Sequence, residues 1–178
     1  MGQPEPGARI HATDPFATPE SQRSPVRRLR GRLPAAVTLW TAYDPDRPAG
    51  LTVSSTLVAD GEPGRLLGLV DAESELWAAA QASGRFAVVP LGPADRQLAD
   101  RFAGLMPAPG GLFHDGGWTA TPYGPIPAGA ATWAGCRLVG ARECGWGLLV
   151  EATLEDITLG DDPAGPLVHF RGRYRELG

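Results

Sequence analysis

Residues 48–55, Pro-Ala-Gly-Leu-Thr-Val-Ser-Ser, with Thr56 next, decide how this chain is read. A buried strand is apolar throughout, and a half-exposed strand alternates apolar with polar residues. Here Thr52, Ser54, Ser55 and Thr56 flank Val53 after a glycine, so hydroxyls stand where neither pattern puts them. Hydroxyls donate and accept, and turn amides form anion-binding nests, so such a strand end can hold a flat polar ligand or a phosphate. The same hydroxyls can instead satisfy one another and the backbone of a twisted strand. The residues alone leave both readings open.

Strand-like runs lie on either side. "AAVTLWTAYD" (35–44) is β-branched and aromatic, and "DPDRPAG" (44–50) reads as a turn. "LTVSSTLVA" (51–59) reads as a second strand, "DGEPG" (60–64) as a turn and "RLLGLVD" (65–71) as a third strand. "AESELWAAAQASG" (72–84) is helical by its Ala, Leu and Glu content and stops at Gly84. "RFAVVPL" (85–91) is a strand, and "PADRQLADRFAG" (93–104) places Leu98, Phe102 and Leu105 at helical spacing. Residues 105–129 hold six Gly and five Pro, an irregular loop of a length that often lines a site. Residues 130–143, 147–160 and 166–177 read as closing strands. The strands come mostly in meander order with few helices, which predicts a mostly-β antiparallel barrel.

The 178 residues suit one domain with a sizeable core. Residues 1–24 are polar and proline-rich without periodicity and read as a disordered arm, leaving 25–178 as the domain. The segment "SPVRRLRGRLP" then carries Arg27, Arg28, Arg30 and Arg32 in a short helix opened by Ser24 and Pro25. It reads either as a solvated face or as an anion- or partner-binding patch. All 16 basic residues are Arg, and the net charge of −4 weighs against a nucleic-acid partner. No apolar run is long enough to span a membrane and no signal peptide opens the chain, so a cytoplasmic location is expected.

Several chemistries find no local support. No Ser lies in a G-x-S-x-G elbow, and His11, His114 and His169 sit in unrelated contexts. Cys136 and Cys144 lack zinc-site spacing and His partners, so no metal is expected. Neither a dinucleotide-binding G-x-G-x-x-G nor a P-loop occurs.

The order of features resembles the flavin reductase-like family, the FMN-binding split barrel. "LPAAVTLWTAYDPDRPAGLTVSS" resembles that family's opening hairpin, "ASGRFAVVPL" its next landmark and "LADRFAG" its following helix. "CRLV" and "PLVHFRGRYREL" fit its late and terminal strands. The resemblance implies a Greek-key, antiparallel split β-barrel with a few short helices. It also implies a homodimer binding FMN, or FAD in some members, between its subunits, with NAD(P)H as substrate. Carried over, Thr52, Val53, Ser54, Ser55 and Thr56 would line the flavin. In the loop "DAESEL", Asp71 and Ser74 would lie near the phosphate, beside the unfavourable Glu73 and Glu75. Arg85 and Phe86 of "GRF" join them, Arg85 as a phosphate ligand.

Family members often carry Gly-Asp-His before the penultimate strand; here Gly145 is followed by Trp146 and Gly147. Trp146 would then stack on a ring or fill the nicotinamide position. His169 and Arg171 would face the flavin or the outside of the barrel, and Trp118 would cover the site or join the core. The implied activity is hydride transfer from NAD(P)H to flavin, alone or as the reductase component serving a flavin-dependent monooxygenase. The alternative is a non-catalytic flavin-binding protein with a blocked nicotinamide site.

Overall fold

Ser24 opens the first element. Its hydroxyl accepts the Arg27 N–H at 3.3 Å and Pro25 supplies a helical φ, so α1 runs Pro25–Gly31. The computed structural model describes residues 24–45, 47–161 and 164–177; the arm expected over 1–24 lies outside these, Ser24 excepted.

The strands are β1 (Ala35–Ala36), β2 (Thr38–Asp44), β3 (Arg47–Val53), β4 (Leu57–Ala59), β5 (Arg65–Val70) and β6 (Arg85–Pro90). Then come β7 (Trp118–Thr119), β8 (Ile126–Pro127), β9 (Trp133–Cys144), β10 (Gly147–Thr158), β11 (Leu167–Phe170) and β12 (Arg173–Glu176). Helix α2 (Glu75–Ser83) precedes β6 and α3 (Arg96–Phe102) follows it. Seven strands form one antiparallel sheet in the order β3-β2-β6-β9-β10-β5-β4. A second sheet has the order β1-β11-β12, and β7 pairs with β8. The fold is mostly β and antiparallel with short helices, as the sequence predicts, but the strand order crosses over rather than meandering.

Local departures from the sequence reading have physical causes. Residues 51–59 are not one strand. Val53 ends β3 beside Thr38, and Leu57 begins β4 beside Leu67, so Ser54–Thr56 carry the chain from one edge of the sheet to the other. The turn expected over 44–50 is shorter, because β3 already starts at Arg47; Pro48 is tolerated there because β3 is an edge strand. The first strand breaks at Val37, whose N–H goes to the Leu167 carbonyl at 2.9 Å as the chain passes between sheets. The second helix starts at Glu75, not residue 72, because Ser74 caps it. Leu105 falls beyond α3 and is exposed. The last strand is a hairpin, folded at Arg171-Gly172 with φ values of 51° and 76°, the two left-handed positions of a tight turn.

Strands β2 and β6 are buried on both faces. Trp40, Val53, Leu66, Val70, Phe86 and Val150 fill one core with α2. Val37, Leu39, Ala87, Val89 and Leu167 fill the other with α3 and the loop after it. Trp40 stacks on Phe86 with ring centroids 4.8 Å apart and planes 13° from parallel. Its ring also reaches β5, where a Cβ on Gly68 would lie 2.6 Å from the indole. In the sheet order β6, β9 and β10 separate β2 from β5, so this contact records how far the sheet has curled.

Gly68→Ala is therefore expected to overpack the core and cost about 1–3 kcal/mol. Urea unfolding monitored by tryptophan fluorescence checks this, and Gly64→Ala, whose nearest neighbour is a leucine methyl at 3.4 Å, should cost much less.

Candidate functional site

The hydroxyl run forms a seam across the gap in the sheet. The Thr38 hydroxyl donates to the Val53 carbonyl at 2.7 Å. Its one proton is thus used, so Thr56 donates to the Thr38 oxygen at 2.8 Å. The Trp40 Nε1–H is shared between the Thr38 and Thr56 oxygens at 3.0 and 3.1 Å. On the other side, Ser55 Oγ accepts the Leu69 N–H at 2.9 Å and donates to the Leu69 carbonyl at 3.0 Å. The β4–β5 register, Leu57 with Leu67, puts Ser55 opposite Leu69, so this hydroxyl extends the ladder where the backbone has left it. Thr52 donates to the Ala99 carbonyl of α3 at 2.7 Å. Ser54 is different: it is exposed, and its hydroxyl has no partner among the described residues.

The seam meets two other predicted segments at the end of β5. Asp71 Oδ1 accepts the Glu73 N–H at 2.9 Å, and the Asp71 carbonyl accepts the Ser74 hydroxyl at 2.7 Å. Ser74 Oγ also accepts the Trp77 N–H at 3.2 Å, so it is a turn and cap residue of α2. The β9–β10 hairpin tip lies alongside: Leu148 pairs with Val70, and a Cβ on Gly147 would meet the Val70 carbonyl at 2.7 Å. Trp146, at that tip, is 76% exposed. Ser54, Ser55, Asp71, Ser74 and Trp146 thus gather around one end of β5.

Other predicted residues lie elsewhere. The side chains of Val53 and Phe86 are buried against Trp40 in the core. Arg85 pairs in register with Arg137, Arg137 with Thr153 and Thr153 with Arg65, which sets it level with the opposite end of β5. Its guanidinium stands 5.6 Å from the Tyr123 ring centroid. His169 and Arg171 lie on the smaller sheet, joined to the seam through Val37–Thr38, with the Arg171 guanidinium over Phe170. Trp118 packs with Phe102 and Phe113 in the second core. Sequence reading passed over Thr38 and Trp40. The signal was a Thr-x-Trp pair on one face of a strand that the sequence reads as buried, two polar hydrogens that a core must satisfy.

Burial, then Glu155, pushes the Cys136 thiol up to about 12, so it stays protonated. Burial, then Asp100 as a charge and hydrogen-bond partner, pushes Tyr174 up to about 12. Burial, then Arg30, lowers the His169 pKa.

The donor set fits part of a flavin. A Ser54 hydroxyl without a partner among the described residues, at the seam mouth, and an exposed indole nearby suit a flat, hydrogen-bonding ring. The turn at Ser74 suits a phosphate poorly, since its own hydroxyl is engaged and exposed Glu73 and Glu75 flank it.

The fold is shared with solved flavin reductases. The NADH:FAD oxidoreductase SgcE6 of Streptomyces globisporus C-1027 superposes with a TM-score of 0.77 at 23% identity, over 90% of this chain and 96% of that one. The chain belongs to the flavin reductase like domain family, whose model matches residues 30–178. It is 31% identical over 160 residues to the FMN reductase (NADH) RutF of Ancylobacter novellus, covering 89% of this chain and 87% of that protein. It is 28% identical over 152 residues to HsaB of Mycobacterium tuberculosis, the reductase subunit of a flavin-dependent monooxygenase, covering 83% and 79%.

The lowered His169 pKa carries a pH dependence. The unfolded chain takes up the proton first, so this contribution to stability is whole above the ordinary histidine range near 6.5 and is lost as pH falls through it. His169→Gln should flatten the decline of the urea midpoint between about pH 7.5 and 5.5; an unchanged slope refutes it.

Proposed function

We propose that this protein is an NAD(P)H-dependent flavin reductase, the reductase component for a flavin-dependent monooxygenase, with residues 25–178 as the flavin-binding domain. Family membership supports the reading, and so do relatives named FMN reductase (NADH) and monooxygenase reductase subunit. The observation that carries it to a site is Ser54, an exposed hydroxyl left free beside a seam that uses its neighbours.

A bound FMN, or FAD as the alternative, supplies the redox chemistry by taking a hydride from the nicotinamide. The chain's own part is to hold and orient. Ser54 would bond a polar edge of the ring, and Trp146 would offer it a flat apolar face. Thr38, Ser55, Thr56 and Trp40 keep Ser54 in place by locking the residues around it. No side chain has to move a proton, so a site without the family's Asp-His pair remains competent for hydride transfer.

We take the working form to be a homodimer in the cytoplasm, with the chain's sheet curled as a split barrel. Leu57 and Leu69 are exposed apolar side chains on the paired strands β4 and β5, surface that a second subunit would cover. A second subunit would also bring another Arg85 to the groove, which the register of a single chain sets apart from Ser54. The second reading is a non-catalytic flavin-binding protein, favoured by Trp146 and Gly147 standing where Asp and His are usual.

Titration with FMN and with FAD, followed by anaerobic NADH or NADPH, tests both. Binding with bleaching of the flavin is the expected result; binding without bleaching selects the non-catalytic reading. Ser54→Ala should weaken FMN about three- to tenfold, the worth of one hydrogen bond, with the unfolding midpoint unchanged. Arg85→Ala should weaken it only if the groove is shared between subunits.

A further inference from the structure

Arginines collect on one side of the molecule. Arg27, Arg28 and Arg30 lie on α1 and Arg32 directly follows it; Arg171, Arg173 and Arg175 lie on the β11–β12 hairpin. The Arg171 N–H donates to the Gly31 carbonyl at 2.8 Å, which ties the hairpin turn to the end of the helix. Arg30 also lies close enough to β11 to act, after burial, on His169.

These charges are unpaired among the described residues. Arg65, Arg96, Arg101 and Arg137 each have a carboxylate partner. None of the arginines on α1 or the hairpin makes an ion pair with another described residue, and all but the half-buried Arg27 are exposed. The acids close by are taken: Glu176 is held by Arg96 at 3.1 Å, and Asp100 is hydrogen-bonded to Tyr174. The helix dipole favours Arg28 and Arg30 in the last turn of α1, but it does not reach Arg173 and Arg175. The whole chain carries a net charge of −4, so the seven arginines of these two elements run against its overall balance.

Apolar side chains interleave with the arginines. Helix α1 buries none of its residues. Val26 and Leu29, one turn apart, are 76% and 63% exposed, and Leu33 just beyond is 62% exposed. A helix this short has little stability of its own, and its apolar side lacks a partner within the described chain.

We propose that α1 and the β11–β12 hairpin form a docking surface for an acidic protein partner. The arginines would pair with its carboxylates, and Val26, Leu29 and Leu33 would cover apolar side chains set between them. Arginine is enriched at protein interfaces, and the exposed aliphatic side chains beside it supply apolar area for a partner to cover. A nucleic acid would use the charge but leave the leucines in water, and the net charge opposes it. A membrane surface is usually gripped by a longer amphipathic helix than α1, which spans about 10 Å. The surface stands whether or not the protein reduces flavin.

The full chain is titrated into a fluorescein-labelled peptide of repeated Glu-Leu-Glu-Glu-Leu, followed by anisotropy. Expected is binding that falls steeply as salt shortens the screening length from about 10 Å at 0.1 M to about 3 Å at 1 M. R27E/R28E and R173E/R175E should each weaken it about tenfold or more, the cost of about 1.4 kcal/mol, and L29S should weaken it several-fold. Circular dichroism and flavin affinity should match the parent in every variant. No peptide binding, or binding indifferent to both charge reversals, overturns the proposal. So does tighter binding to phosphatidylglycerol vesicles or duplex DNA, or salt-sensitive self-association that R27E/R28E abolishes.

Discussion

One indole organises this protein. Trp40 sits on β2 with its ring stacked on Phe86 and its edge against Gly68, so one side chain spans a curled sheet from within. Its Nε1–H is buried and must find an acceptor, because leaving it bare costs about 1–3 kcal/mol. Thr38 and Thr56 supply the oxygens. The requirement of a single N–H thereby draws the β3–β4 link onto β2, while Ser55 draws it onto β5. The two edges of the large sheet are joined by side chains rather than by a backbone ladder.

The site follows from that arrangement. A seam of hydroxyls looks, in sequence, like a row of ligand contacts, yet most of the row is used in holding the fold. Thr52 secures α3, Ser55 secures β5 and Thr56 secures Trp40. Ser54 is left over, and it faces solvent beside the turn at Asp71–Ser74 and the hairpin tip at Trp146. The structural reading of the stretch holds for Thr52, Ser55 and Thr56, and Ser54 alone keeps a hydroxyl without a partner among the described residues.

How much of this was legible in the sequence varies with the range of the interaction. Some helix ends were, since they depend on neighbours: Ser24 and Pro25 at α1, Gly84 closing α2. The mostly-β class was legible too, from apolar runs punctuated by Gly and Pro. The break at Ser54–Thr56 was not, because Leu51 to Ala59 keeps its β character while changing partners from β2 to β5, and strand pairing leaves no mark on composition. The division of labour among the hydroxyls was hidden for the same reason: each partner lies far along the chain. Arg85 shows the converse. Its landmark is plain in sequence, but only the register of β6 on β9 places it beside Tyr123 and level with Arg65.

The double burial of β2 and β6 has a further effect. Along β2, Leu39 faces one core and Trp40 the other, and along β6 Ala87 and Phe86 divide in the same way. Each core therefore forms one wall of the other. Neither can melt while its neighbour survives, because the strand that would be released is still required on its reverse side. Among the described residues there is no independent half to shed: loosening α3 frees the Thr52 hydroxyl from the Ala99 carbonyl and strips one face of the strand from which the seam is built.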